Sequence, residues 1–345
     1  MSFFSNTISF VIYFLSTTIS VLFIKSAEKR KSRSFALLGV ILPSIVAAFR
    51  ESGIDFNSYK DIYQHIHAGG TYPIEYGWRI LNMIAPNFEL LQFISAIIFF
   101  GVSYLAIRKF DVNYRWMSWL VILVMFTGFF YNGTRQAIAF AFVLLGISYF
   151  YKKKYFIFSV CVATGGFFHN SAWFVLVILI LYWFVMRRVT KFGLATLIMS
   201  VITLVSVPIV ENIIRKLGVY VGYIEGATFN FSISFLLYTL PPLLYYILKP
   251  SIIKEDKKLQ FCLALYFLTI PLQCLGMRIS YADRMALYFK PMLAIAVPLM
   301  IMKYDELDRG KRVKTFFISW FIFYHIIMGL VLNENGMYPY MNFNF

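Results

Sequence analysis

Four polar clusters hold the side chains capable of chemistry: Arg50-Glu-Ser-Gly-Ile-Asp55-Phe-Asn-Ser-Tyr59, Asn132-Gly-Thr-Arg135-Gln136, Gly166-Phe-Phe-His169-Asn-Ser171 and Arg278-Ile-Ser-Tyr-Ala-Asp283-Arg284. A guanidinium is a planar, permanently charged fork that grips phosphate with two parallel hydrogen bonds. Several arginines placed at helix ends therefore suit an anionic substrate. The candidate contacts to such a substrate are Arg50, Arg135, Gln136, Tyr59, Arg278 and Arg284. An imidazole with a pKa near neutrality suits removal of a proton from a hydroxyl, which points to His169 as a base. Asp55 and Glu75 are the other candidates, and the sequence does not rank the three. Cys161, Cys262 and Cys274 all lie in apolar stretches and read as packing residues. With no Cys/His metal spacing and no glycine-rich nucleotide loop, neither metal nor cofactor is expected.

Each of these residues also has a purely structural use. Arg50 and Asp55 can pair with each other, Arg135 can snorkel to headgroups, and His169 can be satisfied by backbone at a helix start. Asp283 can pair with Arg284, and Lys290 lies about one turn beyond. The tyrosines and tryptophans suit an interfacial aromatic belt as well as sugar stacking.

The elements that position these clusters must be membrane helices. The chain has 345 residues, 60% hydrophobic and 14% charged, with a mean hydropathy of +0.71, too little polar surface to enclose a water-soluble core. Apolar stretches match the ~20 residues needed to cross the hydrocarbon, and barrel-type alternation is absent. Twelve segments are predicted, at about 3–24, 35–49, 88–107, 116–131, 137–151, 155–168, 171–186, 193–210, 231–248, 259–275, 285–302 and 315–332. Together they predict an all-α, polytopic protein forming a single transmembrane domain over 1–345. Pro208, Pro241–Pro242, Pro271 and Pro298 are expected to break their segments.

Charge tests this segmentation independently. Loops 25–34, 108–115, 152–154, 187–191, 249–258 and 303–314 hold 23 of the 32 basic residues and 7 of the 16 acids. The whole net charge of +16 thus falls on alternate loops, as expected for cytoplasmic ones, with both termini outside. Topology accounts for the basic balance without nucleic acid. The first segment has no basic residue before it and no cleavage site after it, so it is expected to remain as a helix.

The longest hydrophilic stretch, 50–87, is on the outer side. Asp55 to His67 predicts a short amphipathic helix with Asp55 as N-cap and Phe56, Tyr59, Ile62, Tyr63 and Ile66 on one face. Glu75 to Met83 predicts a second, ending before Pro86. Both would lie at the interface and roof an outer cavity.

With these residues in view, the chain resembles the Wzy/EpsG class of bacterial polysaccharide polymerases. The resemblance rests on Arg50-x-x-x-Gly53-x-Asp55-x-x-x-Tyr59-x-x-x-Tyr63, Glu75-x-Gly77-Trp78, Asn132-x-x-Arg135-Gln136-x-Ile138-Ala139 and His169-x-Ser171-Ala172, in this order over about 50–172. The C-terminal half matches loosely, through Arg278 and Tyr288-Phe289. The resemblance implies a multi-spanning, GT-C-like glycosyltransferase in the bacterial cytoplasmic membrane, active at its outer face. Such an enzyme would join undecaprenyl-diphosphate-linked oligosaccharides into O-antigen, capsule or exopolysaccharide. It would work among membrane lipids, with a chain-length regulator and a flippase as partners. Three rivals share parts of this pattern: a lipid-linked oligosaccharide flippase or transporter, an O-antigen ligase, and a sugar acyltransferase using Arg50 with His65 or His67.

Overall fold

The computed structural model describes residues 2–188, 192–217, 233–248, 256–275, 282–307 and 309–341. These are helical, with no strand among them. The chain packs as two compact units, one of residues 1–170 with 297–345 and the other of 171–296.

In the first unit the predicted segments appear as α1 (Ser2–Arg30), α2 (Arg33–Ala48), α5 (Phe88–Phe110), α6 (Arg115–Asn132), α7 (Thr134–Tyr151) and α8 (Tyr155–Phe168). Between α2 and α5 lie the two short helices expected in the hydrophilic stretch, α3 (Phe56–His67) and α4 (Tyr76–Ile84). Among the described residues, four helical stretches are long and apolar enough to cross a membrane: Ser5–Arg30, Phe88–Phe110, Thr134–Tyr151 and Gly310–Val331. Shorter apolar helices include Arg33–Ala48 and Tyr155–Phe168.

Association of helices in lipid relies on close backbone approach and interhelical hydrogen bonds, because lipid tails are as apolar as leucine. Both devices join α1, α2 and α6. A Cβ at Gly39 would come within 2.6 Å of Ile24 Cδ1 and 3.2 Å of Ser20 O, so glycine lets α2 lie this close to α1 without displacing Ile24. At the same level Ser20 Oγ donates to Gly39 O at 2.5 Å and accepts from Trp119 Nε1 at 2.7 Å. Deeper packing is aromatic: the Phe99 ring of α5 stacks on Phe130 of α6 at 4.7 Å and meets Phe140 of α7 edge-on at 5.2 Å.

The second unit contains the 3-10 turn Asn170–Ala172 from Ser171 on, then α9 (Trp173–Arg188), α10 (Phe192–Leu217), α11 (Ile233–Leu248), α12 (Lys257–Phe267) and α13 (Thr269–Leu275). A 3-10 stretch, Ala282–Tyr288, then precedes α14 (Met292–Asp305). The predicted segment 259–275 is therefore two helices, and 285–302 begins as 3-10 turn. Segment 259–275, which holds Pro271, is interrupted at Leu268, whereas the other prolines do not break their helices: Pro208 lies inside α10, Pro241 and Pro242 inside α11 and Pro298 inside α14. Helices in an apolar medium tolerate proline where neighbouring groups take up the freed carbonyl. The first unit resumes at Val297, within α14, and continues into α15 (Gly310–Tyr324), which runs into a π-helical turn, His325–Val331.

Contacts within the first unit sort the polar segments onto two ends, as the charge pattern predicts. At one end the basic loops meet: Glu28 accepts from Arg115 N at 3.3 Å, Tyr114 donates its hydroxyl to Asp305, and Lys314 pairs with Asp305 at 3.4 Å. At the other end segments 50–87, 132–136, 166–170 and 333–341 touch one another.

Candidate functional site

This second cluster gathers most of the residues selected from sequence. The helix α6 ends at Asn132, and Gly133 alone separates it from α7. Arg135 therefore emerges on the first turn of α7. Its Nη1 lies 2.5 Å from Glu75 Oε2, with the arginine side chain 27% exposed and the glutamate 12%. The other carboxylate oxygen, Oε1, accepts from the backbone N–H of Asn170 at 3.5 Å. Glu75 thus ties the start of α4 both to Arg135 and to the peptide that follows His169.

That arrangement needs α4 to lie very near the end of α8. A Cβ at Gly77 would fall 2.8 Å from Phe167 O, which explains a glycine two residues after Glu75. One residue on, Trp78 is buried and meets the Tyr59 ring of α3 edge-on at 5.3 Å. The Tyr59 hydroxyl bonds to Arg135. Burial pushes its pKa up and the Arg135 charge pulls it back. On α3, Tyr59, Ile62 and Tyr63 are buried as the amphipathic pattern predicts, and Tyr63 Oη donates to Ala85 O at 3.0 Å.

Arg50 occupies a different setting. It is 3% exposed, with Nη1 donating to Ala47 O at 2.8 Å. Its guanidinium lies 4.4 Å from the Tyr131 ring centre and 5.4 Å from that of Phe130, a cation–π arrangement. Among the described residues no carboxylate is within ion-pairing distance of it, so the expected Arg50–Asp55 pair does not form. Burial lowers its pKa, and the nearby Tyr131, Tyr13, Tyr59 and Tyr340 oppose that shift. The amide of Gln92 on α5 holds the preceding turn, donating to Ala48 O at 3.0 Å.

Asp55 stands at the N-cap position of α3, yet its side chain makes no capping bond there. Its φ of −91° and ψ of 8° depart from the extended backbone that aims an N-cap side chain at the helix amides. His169 is half-buried at the C-cap of α8, its backbone N donating to Gly165 O at 3.0 Å. Gln136 is buried on α7. His65 and His67 bond to the backbone oxygens of Thr71 and Tyr63, not to Arg50 as the acyltransferase reading requires. Three buried N–H donors in this region have no acceptor: Arg50 Nε, Trp78 Nε1 and Arg135 Nε.

In the second unit Arg284 is exposed, while Lys290 is 6% exposed with its ammonium 4.3 Å from the Tyr238 ring centre. Ser171 Oγ and Tyr288 Oη are 2.7 Å apart. Arg278 and the Asp283 side chain lie outside the described residues. None of the described residues forms a cluster of three or more His, Cys, Asp or Glu able to hold a metal.

Sequence reasoning overlooked segment 333–341. Its signal was present in Asn333-Glu-Asn-Gly336-Met-Tyr338-Pro339-Tyr340, where turn residues interleave with aromatics just past the last apolar segment. The backbone of this segment bonds to the amides of both residues that flank Ser52: Glu51 N donates to Tyr340 O at 2.9 Å and Gly53 N to Gly336 O at 2.7 Å.

No curated protein and no solved structure matches the chain. The EpsG family, in contrast, matches it across residues 33–342, from the start of α2 through the overlooked segment. A match of that extent takes in every element of the Arg135–Glu75 region and all of the Arg50 region except α1, and the chain belongs to the EpsG family.

Proposed function

We propose that the protein is a polysaccharide polymerase of the cytoplasmic membrane. It would join undecaprenyl-diphosphate-linked oligosaccharide units at the outer face, within a GT-C-like bundle of twelve crossings. The observation that carries this reading is Arg135: it emerges at a helix end, is fixed by Glu75 and Tyr59, stays partly exposed and keeps an unclaimed Nε donor. Membership of the EpsG family supports the polysaccharide assignment.

In this mechanism a hydroxyl of one lipid-linked unit attacks the anomeric carbon of another. The new C–O bond forms as the bond from that carbon to the diphosphate breaks. The bonding electron pair leaves on the diphosphate oxygen, and the hydroxyl proton passes to a base. Arg135 donates to the diphosphate oxygens as their negative charge grows. A donor aimed at developing charge in a site of low dielectric contributes about 3–4 kcal/mol. Glu75 serves mainly to hold Arg135, because both its oxygens are already engaged. That leaves His169 and Asp55 as bases, and His169 is the preferred one for an imidazole pKa near neutrality. Arg50 contributes a fixed positive field from within the bundle. Arg278, Arg284 and Gln136 are secondary contacts. A flippase and a chain-length regulator are the proposed partners.

The test is the glycan ladder in a strain lacking this gene, complemented with wild type, Arg135→Ala or Arg135→Lys at membrane abundance matched by blot. Collapse to a single repeat unit with both variants is expected, since lysine lacks the bidentate fork. A full ladder without the gene would sink the polymerase reading. Loss even of the single capped unit would point to export or ligation instead.

A further inference from the structure

We propose that residues 333–340 form a strap that positions Arg50, with Tyr340 as the positioning residue. The enzymatic consequence rests on the polymerase reading above, whereas the strap itself does not.

The strap first closes on itself. Asn333 Nδ2 donates to Tyr338 O at 2.6 Å and its Oδ1 accepts from Tyr338 N at 2.9 Å, which makes a rigid loop of the intervening residues. It is then anchored to three elements. Tyr340 N donates to Ser9 Oγ of α1 at 2.8 Å, and Tyr340 Oη donates to Val46 O of α2 at 2.9 Å. Tyr338 Oη meets His325 Nε2 of the π-helical turn at 2.9 Å. Between these anchors the strap holds the amides of Glu51 and Gly53, on either side of Ser52, through Tyr340 O and Gly336 O.

Those bonds fix the backbone immediately after Arg50, and a ring stack fixes its side chain. The rings of Tyr338 and Tyr340 both stand edge-on to Tyr13, at 5.4 and 5.7 Å. Tyr13 packs on Tyr131 at 5.9 Å, and Tyr131 carries the guanidinium. Tyr13 Oη also bonds to Met337 O at 3.1 Å and lies 3.2 Å from Ser52 Oγ. A buried cation with no carboxylate partner needs its surroundings held in place, because desolvation works against any looser arrangement. The strap does for Arg50 what Glu75 does for Arg135.

Two glycines fit this close contact. At Gly336, φ is +61° and a Cβ would sit 3.0 Å from Ile54 N; at Gly53, φ is +116° and a Cβ would sit 2.4 Å from Tyr131 O. A side chain is strained at both angles, blocked outright by Tyr131 O at Gly53 and tight against Ile54 N at Gly336.

Ser52, 4% exposed beneath the strap, supplies a readout independent of catalysis. The Ser52→Cys variant is made in a chain whose native cysteines are replaced by alanine, purified in lipid nanodiscs and timed against a maleimide. With the native strap the thiol is protected, and unfolding in detergent exposes it fully. Tyr340→Ala or Gly336→Val should raise the labelling rate at least about tenfold, the signature of local opening eased by ~1.4 kcal/mol. Tyr340→Phe should leave protection in place, because the ring that stands edge-on to Tyr13, which alanine removes, survives. Equal rates in native and strap variants would overturn the proposal, as would loss of protection in Tyr340→Phe equal to that in Tyr340→Ala. In membranes, Tyr340→Ala should lower polymer turnover without changing the half-saturating substrate concentration, and Tyr340→Phe should restore turnover. If the wild type makes no polymer, the polymerase reading fails and the labelling still decides the strap.

Discussion

Arg50 and Arg135 stand at the same end of one helical unit and are held by opposite means. A phenol and a carboxylate, the latter itself tied to the Asn170 amide, fix Arg135, which stays 27% exposed. Arg50 is 3% exposed and is held by a carbonyl, aromatic rings and a distant strap. A paired, part-exposed guanidinium can exchange some of its hydrogen bonds for those of an entering diphosphate. A caged one cannot move and acts through its field. The first is built to touch substrate and the second to bias the site electrostatically.

The comparison is sharpest when the charge alone is removed. Arg135→Ala should cut polymer formation by about 10²- to 10³-fold, as for loss of one donor at developing charge. Arg50→Met should leave membrane abundance and thermal midpoint near wild type, because a packed apolar isostere often replaces a buried charge at little cost. Polymer formation should nevertheless fall, and Arg50→Lys should recover more of it than Arg135→Lys does. Equal activity in Arg50→Met and wild type would make Arg50 a packing residue and end the comparison.

Glycines separate the two regions structurally. Gly53→Ala puts a Cβ 2.4 Å from Tyr131 O at a φ of +116° and should destabilise the first unit by about 2–3 kcal/mol. Gly77→Ala, 2.8 Å from Phe167 O, should push α4 away from α8 and draw Glu75 from the Asn170 amide. A thermal melt should register Gly53→Ala more strongly, while the ladder assay should register Gly77→Ala out of proportion to its small change in stability.

The sequence made the Arg135 region largely legible and the Arg50 region barely so, for a physical reason. Periodicity located α3 and α4, and the tight run from Asn132 to Arg135 placed the arginine at a helix end. Those signals are local. The partners of Arg135 were both in view, although Glu75 stood there as a base and not as the arginine's counter-ion. What fixes Arg50 is a strap nearly three hundred residues away that acts mostly through backbone atoms, and backbone bonds leave no side-chain code to read. Asp55 shows the converse: its type and position suited a cap, and the local backbone turned it elsewhere.

Smaller effects should follow the same division. Tyr59→Phe removes the hydroxyl that bonds to Arg135, worth about 1 kcal/mol. The expected result is a severalfold drop in polymer formation with little change in Ser52→Cys labelling. Because Tyr59 also lies near Arg50, a labelling change as large as that of Tyr340→Ala would show that the two regions are one.

Alkaline pH should loosen the strap before it affects the rest of this end. Burial pushes the Tyr340 pKa up to about 12, against the pull of Arg50, whereas an unfolded tyrosine ionises at about 10. Between those values the unfolded chain has released a proton that the folded strap still holds. The stability due to neutral Tyr340 is therefore complete below pH of about 10 and is lost as pH rises toward 12. Hydrogen exchange should show the Glu51 and Gly53 amides losing protection across that interval. In Tyr340→Phe, with no phenol to ionise, the loss should shift upward or flatten; an unchanged pH profile would assign the alkaline step to another tyrosine of the cluster.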